Sequence, residues 1–356
     1  MNTSKKKRVL VGLSGGVDSA VSAYLLLKGG FEVEGVFMKN WSSTTGLKSS
    51  DCPWLEDRRE ALRVAAFLRI PLHTVDYEGE YEERVLKYFF EEYEAGRTPN
   101  PDVMCNKEIK FKLLYEWAMK KGFDYLATGH YARIGANPKL EELKLFKAID
   151  HTKDQTYFIY NLETEQLKHI LFPIGELKKT QVRTLAKKIK LPNANRKESM
   201  GLCFVGKIRL KEFLEQKVKS TPGDIMITDG KFIGKHRGLA FYTIGQRHGI
   251  EIGEGGPYYV ISKDQRLNRL IVTRDSNDLV NTKKVSLSSV HLLNKNNSAS
   301  TRVQARGRHL GDLAWGRLQL GEKANFEFEK PHEIIASGQS LVFYDGEICL
   351  GGGIVE

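Results

Sequence analysis

The chain holds 356 residues, 41% of them hydrophobic and 28% charged, with a net charge of +11. That length is more than one ordinary core fills, so two or three domains are expected, and the balance of apolar and charged residues excludes a disordered or fibrous protein. No apolar run approaches the roughly eighteen residues that would cross a bilayer, while the spread-out excess of Lys and Arg favours an anionic partner, nucleic acid first.

Taken in order, residues 8–13 follow a basic start and run straight into a glycine loop. They read as a first core strand and not a signal peptide, so a cytoplasmic protein is expected. The pattern then predicts a helix over 19–28 stopped by Gly29-Gly30, a strand over 31–38, a helix over 59–68 and a third strand over 71–75. A helix over 81–93, a proline-broken loop, a helix over 107–120 and a fourth strand over 125–128 follow. This alternation is the signature of an α/β parallel sheet covered on both faces, whose ligands bind beyond the carboxyl ends of the strands. From 145 to 190 the pattern is mainly helical and strongly basic at its end, and LPNANRKESMGLCFVG reads as an irregular loop. Residues 208–280 turn to short strands and glycine turns after one helix. The last stretch, short strands at regular spacing, predicts a small β-barrel.

Gly12, Leu13, Ser14, Gly15, Gly16, Val17, Asp18 and Ser19 lie between the first strand and the first helix. Adjacent glycines let several N–H groups face one anion, the helix start adds its positive dipole end, and Ser14 and Ser19 add hydroxyls. The lysine of a Walker loop is missing. The pattern S-G-G-x-D-S instead resembles the pyrophosphate loop (PP-loop) of ATP pyrophosphatases, which cleave ATP to AMP and pyrophosphate, and Asp18 would suit a Mg²⁺ held against the phosphates. Such loops serve amide-forming synthetases as well as RNA thiolases. Four scattered cysteines, Cys52, Cys105, Cys203 and Cys349, form no C-x-x-C pair, which argues against a zinc ribbon or a thioredoxin-like site. Cys105 lies near a helix start, where a thiolate is favoured, with Asp102 three residues before it. Cys203 lies in the loop after the basic helix, and Cys52 and Cys349 read as structural.

TPNPDVMCNKEIKF, ATGHYARI, HTKDQTYFIYNL, SMGLCFVG, GLAFYTIGQRHGI and GQSLVFYDGEICLGGGIVE occur in that order over nearly the whole chain. Together they resemble the tRNA-specific 2-thiouridylase family, which thiolates the wobble uridine of certain tRNAs. The resemblance implies a PP-loop catalytic domain of the adenine-nucleotide alpha-hydrolase-like fold over 1–207, a small β-rich central domain over 208–280 and a tRNA-binding β-barrel over 281–356. It implies an ATP-dependent sulfurtransferase in which Cys203 receives a persulfide from a sulfur-relay donor protein or cysteine desulfurase. Cys105 is then its partner, able to close a disulfide with it, and Asp102 the acid/base residue beside the target base. By the same matching, residues 12–19 hold the phosphates of ATP, and backbone at Met38 and Gly129 holds adenosine. Asn100, Pro101 and Asp102 border a flipped uracil. His130, Lys153, Asp154, Gln155, Arg306, Gly307 and Gln339 face tRNA, with the anticodon stem-loop as the part recognised. Gly307 departs from relatives that carry an aromatic residue there, so a stacking contact is expected to be absent. The chain is expected to act as a monomer apart from its tRNA. The alternatives that stay open are an amide-forming PP-loop synthetase, a non-catalytic RNA-binding protein that keeps the fold, a thiolase of another tRNA position, and a metal or iron–sulfur site at Asp102, Cys105 and Cys203. Open too is whether the persulfide attacks directly or Cys105 first liberates hydrosulfide.

Overall fold

The computed structural model describes residues 6–42, 53–136, 142–197, 214, 217–218, 221–250, 252, 257–293 and 300–356. They pack as two units, one of Met1–Val85, Asp102–Lys207 and Gly346–Leu350, the other of Leu86–Pro101, Ile208–Asp345 and Gly351–Glu356.

In the first unit, β1 (Arg8–Gly12), α1 (Val17–Lys28), β2 (Glu32–Lys39), α2 (Pro53–Leu68) and β3 (Leu72–Asp76) follow the expected alternation. α3 (Glu78–Tyr81) and a π-helical turn (Glu82–Leu86) follow, and the chain passes into the second unit at α4 (Lys87–Glu94). A composite helix joins α5 (Pro101–Met104), a π-helical stretch (Cys105–Leu114) and α6 (Tyr115–Lys120), and leads to β4 (Tyr125–Ala127). β5 (Ala132–Ala136) and β6 (Leu143–Lys147) form an antiparallel hairpin, and α7 (Thr156–Ile159), β7 (Ile170–Leu171) and α8 (Lys179–Lys188) complete the unit. The main sheet is parallel, in the order β3-β2-β1-β4-β7. Val9, Val11 and Leu13 alternate onto one face and share a core with Ala20, Val21, Val64, Val182 and Ala186, which is why β1 has no polar position in its centre. The chain leaves β1 toward β2 and β3 and returns on the other side at β4. The carboxyl ends of β1 and β4 therefore flank the switch point of the sheet, the place where such folds bind ligands.

The expectation of mainly helical structure from residue 145 is corrected here. Leu143–Lys147 is a strand, paired with β5 on one side and with Ile348 and Cys349 on the other. A five-residue apolar run has no period of its own that separates strand from helix, and pairing partners decide it.

In the second unit, β8 (Gly223–Ile227), β9 (Phe232–His236), β10 (Tyr259–Asp264) and β11 (Arg269–Thr273) form a sheet in the order β10-β11-β8-β9. Ile225, Tyr242, Tyr258, Val260, Leu270 and Val272 fill its core. The barrel comprises β12 (Val280–Leu292), β13 (Ser300–Arg306), β14 (Ala314–Gln319), β15 (Ala324–Glu333), β16 (Ser340–Asp345) and β17 (Ile348–Val355). Its order β12-β15-β14-β13-β16-β17 closes by pairing β12 with β17, which removes both sheet edges. Among the described residues no helix is long and apolar enough to cross a membrane.

Candidate active site

The loop after β1 is built around Gly15, whose φ of +77° is open to glycine and strained for other residues. A Cβ there would come within 2.5 Å of the Asp57 carbonyl and 2.6 Å of the Arg196 guanidinium. The hydroxyls of Ser14 and Ser19 lie 3.4 Å apart, with the Ser14 and Gly16 N–H groups donating to them at 3.3 and 3.4 Å. These bonds are long, so the donors are weakly engaged and an anion with better geometry can displace them. α1 begins at Val17, its dipole end aimed at the same concavity. Gly129, just past β4, packs so closely on this turn that a Cβ would stand 2.7 Å from the Ser19 nitrogen. Met38 sits near the carboxyl end of β2, half-buried.

Asp18 faces Lys179, not open solvent. The Lys179 ammonium donates to both carboxylate oxygens at 2.7 and 2.9 Å, and the Tyr131 hydroxyl donates at 2.9 Å. The same ammonium stands 5.5 Å from the centre of the Tyr131 ring. A magnesium ion needs carboxylate or phosphate oxygens and several waters. Here the loop's carboxylate is already neutralised by a lysine, and no group of three or more His, Cys, Asp or Glu among the described residues could hold a metal. In this structure the Asp18 carboxylate is held by Lys179 and Tyr131, so a Mg²⁺ at that position would be one that arrives with phosphate oxygens.

His130 is buried. Its Nδ1 lies 2.7 Å from the Thr128 hydroxyl, and its ring packs 5.7 Å from that of Phe111 and 6.0 Å from that of Phe172. Burial, with some help from Lys110, pushes its pKa well below the ordinary histidine value, so the ring is neutral. It joins the end of β4 to the helix that carries Asp102 and Cys105. In that helix Pro101 opens the first turn, where no N–H is needed. Asp102 and Cys105 are three residues apart and so share a face. Cys105 is the first residue of the π-helical stretch and is 1% exposed. The Asn106 side chain donates to the Asp102 carbonyl at 3.0 Å, and the Gln166 side chain donates to the Phe111 carbonyl. Such widened turns recur at functional sites. Cys203 and Cys52 lie outside the described residues. Cys349 is buried in β17 opposite Leu145.

The expected RNA contacts divide. Asp154 is 1% exposed, and its carboxylate accepts from the Ala148 N–H at 3.3 Å and the Thr156 hydroxyl at 2.8 Å. Gln155 accepts the Tyr131 N–H at 2.9 Å, while Lys153 is half-buried. In the second unit, Arg306 is buried with its guanidinium 4.5 Å from the Tyr344 ring centre. A Cβ on Gly307 would meet the Ile335 side chain at 2.6 Å, so Ile335 fills the space an aromatic would need. The Gln339 amide donates to the Thr98 carbonyl at 2.8 Å and holds the stretch that runs into Asn100 and Pro101. Of the basic helix, Lys179 is spent on Asp18, and Arg183 donates to the carbonyls of Ala194 and Arg196 at 3.3 and 2.5 Å. Tyr131, Asn193 and Arg196 were not expected as site residues, and Lys179 only as one cation of a basic helix facing the tRNA backbone. The one available signal was helical spacing: Lys179, Val182 and Ala186 fall on one face, and the latter two are buried.

Residues 7–207 match a family model described as the tRNA methyl transferase HUP domain, residues 211–274 its PRC-barrel domain, and residues 282–355 an aminomethyltransferase beta-barrel domain. The tRNA-specific 2-thiouridylase MnmA of Lysinibacillus sphaericus (strain C3-41) is 45% identical over 361 residues, covering 98% of this chain and 94% of that one. The protein of the same name from Bacillus subtilis (strain 168) is 43% identical over 355 residues, covering 98% and 95%. Likeness to solved structures is loose: a 4-thiouridine synthetase–RNA complex with bound ATP has a TM-score of 0.37 and 20% identity, over 60% of this chain and 50% of that one.

Proposed function

Because this chain belongs to the tRNA-specific 2-thiouridylase family, we infer that it carries out the reaction its relatives are named for, the replacement of the C2 oxygen of a tRNA uridine by sulfur. It is an ATP-dependent sulfurtransferase. By the family resemblance the target is the wobble uridine of the anticodon, and the protein acts in the cytoplasm.

The chemistry runs in two halves. ATP enters as its magnesium salt, phosphates over residues 12–19 and adenosine against the backbone of Met38 and Gly129. The loop N–H groups and the α1 dipole meet the phosphate charge, and Lys179 turns from Asp18 to the incoming phosphates. The uridine O2 attacks the α-phosphorus and pyrophosphate leaves, so an oxygen that departs poorly becomes part of AMP. In the second half a persulfide on Cys203 attacks C2 through its terminal sulfur, and AMP carries the oxygen away. Cys105 thiolate then attacks the inner sulfur of Cys203, which leaves sulfur on C2 and joins the two cysteines in a disulfide. A thiol reductant resets the pair, returning two electrons. Asp102, on the face of Cys105, moves the proton of the uracil N3 as the ring is activated, and Asn100 and Pro101 border the extruded base. The sulfur donor is a persulfide-bearing protein.

The observation that supports this reading is the close packing of Gly129 on the serine-glycine loop at the switch point of the parallel sheet, with the adjacent His130 packed on Phe111 of the helix that bears Asp102 and Cys105. Incubation of the protein with ATP, Mg²⁺, a persulfide source and unmodified tRNA is expected to yield 2-thiouridine by mass spectrometry, with AMP and pyrophosphate in equal amounts. Cys105→Ser and Cys203→Ser are each expected to abolish the thionucleoside. Full thiolation by both single variants would sink the two-cysteine scheme, and sulfur at another nucleotide would sink the wobble assignment.

A further inference from the structure

The Gly15 carbonyl takes two side-chain donors. The Asn193 amide donates to it at 2.9 Å and the Arg196 guanidinium at 3.0 Å. Arg196 uses its other terminal nitrogen on the Asp57 carboxylate of α2. The short segment bearing both residues is itself fixed: the Ala194 N–H donates to the Leu191 carbonyl, the Arg196 N–H to the Asn193 carbonyl, and Arg183 holds two of its carbonyls. Asn193 is 3% exposed, and its Oδ1 is buried without a hydrogen-bond partner. A buried, unmet acceptor is unfavourable, so the side chain is retained for what its N–H₂ does to Gly15.

The geometry of the peptide unit gives that contact a consequence. A trans peptide is planar, and its C=O and N–H point in opposite directions. Two donors that hold the Gly15 oxygen on one side turn the Gly16 N–H to the other, toward Ser14 and Ser19. There it is engaged only by the Ser14 hydroxyl at 3.4 Å. An unheld glycine pair would flip this peptide readily, since Gly populates both signs of φ. We propose that Asn193 and Arg196 are positioning residues for nucleotide binding, fixing the Gly15–Gly16 peptide so that the Gly16 N–H donates to the pyrophosphate end of ATP. Neither touches the nucleotide. The inference rests on the reading that residues 12–19 take the phosphates.

The test is equilibrium binding by the full chain of ATP, of inorganic pyrophosphate and of AMP, for the wild type and for Asn193→Ala, Arg196→Ala and Arg196→Lys. Each alanine variant is expected to bind ATP and pyrophosphate about tenfold more weakly, the effect of losing one well-placed hydrogen bond. AMP affinity is expected to stay at the wild-type value, and Arg196→Lys, which keeps one charged donor, is expected to recover part of the loss. A parallel fall for AMP and ATP would reduce both residues to packing and overturn the proposal. So would wild-type ATP affinity in both alanine variants. Failure of the wild type to bind ATP or pyrophosphate at all would instead remove the phosphate-loop reading beneath it.

Discussion

Lys179, half-buried, and His130, buried, are two basic groups with opposite duties. The Lys179 ammonium is paired with the Asp18 carboxylate, whereas His130 gives its charge up because it is buried beside Thr128 and two aromatic rings, with Lys110 acting in the same direction. Lys179→Met keeps the stem and removes the ammonium. Release of AMP in the presence of tRNA is expected to slow by roughly 10²-fold, the scale on which one preorganised charge contributes to phosphoryl chemistry, while tRNA retention stays within about twofold. Lost retention with intact AMP release would move Lys179 to the RNA face. For His130, the unfolded chain takes up a proton near pH 6.5 and the folded chain does not until lower pH. Unfolding therefore binds protons, and stability falls as pH drops below about 6.5. His130→Gln is expected to shrink the fall in urea midpoint between about pH 7.5 and 5.5, leaving the share of His236, which burial depresses in the same sense. Identical falls in both proteins would remove His130 as the source. Asp102, Cys105 and residues 12–19 could be proposed from the sequence because they sit in short contiguous motifs. The roles of Lys179, Tyr131, Asn193 and Arg196 could not, because each acts on a loop 113 to 181 residues away.

The helices and strands of the first unit follow apolar period closely up to β4, since each must bury one face against a sheet. The π-helical stretch in the Cys105 helix has no such signature. Its widened turn is held by Gln166, whose amide reaches the Phe111 carbonyl from 55 residues further on, and the sequence pattern reads simply as helix. β6 was misread for a related reason, its partners lying in β5 and in the last strand. The barrel holds a different lesson at Gly307, where the expected gap is occupied. Gly307→Tyr is expected to cost about 1–3 kcal/mol, because Ile335 already stands within contact of the new Cβ. Adding Ile335→Ala should recover most of that loss in a denaturation series, a coupling that only touching residues show. Additive effects would mean that the two sites do not share space.

Across the whole molecule, the charge of +11 predicts how tRNA is held more than where. If about six phosphates are neutralised, affinity is expected to fall on the order of 10³-fold between about 50 and 200 mM salt. Filter retention at graded salt measures the slope, and an affinity indifferent to salt would leave the basic excess unrelated to RNA. Composition carries that expectation and regular strand spacing foretold the barrel, but the assignment of residues 86–101 and 346–350 to their units depends on pairings no local pattern records.

The last strand carries a further implication. Ile348 and Cys349 zip onto Phe146 and Leu145, and Lys147 donates to the Gly346 carbonyl at 2.7 Å, while the following residues from Gly351 onward pair with β12. During synthesis, then, the outer side of β6 waits through some two hundred further codons before its mate emerges. Until that moment the nascent enzyme bears an unsatisfied ribbon edge, a place where a chaperone has reason to linger and where a product cut short before Ile348 is prone to clump.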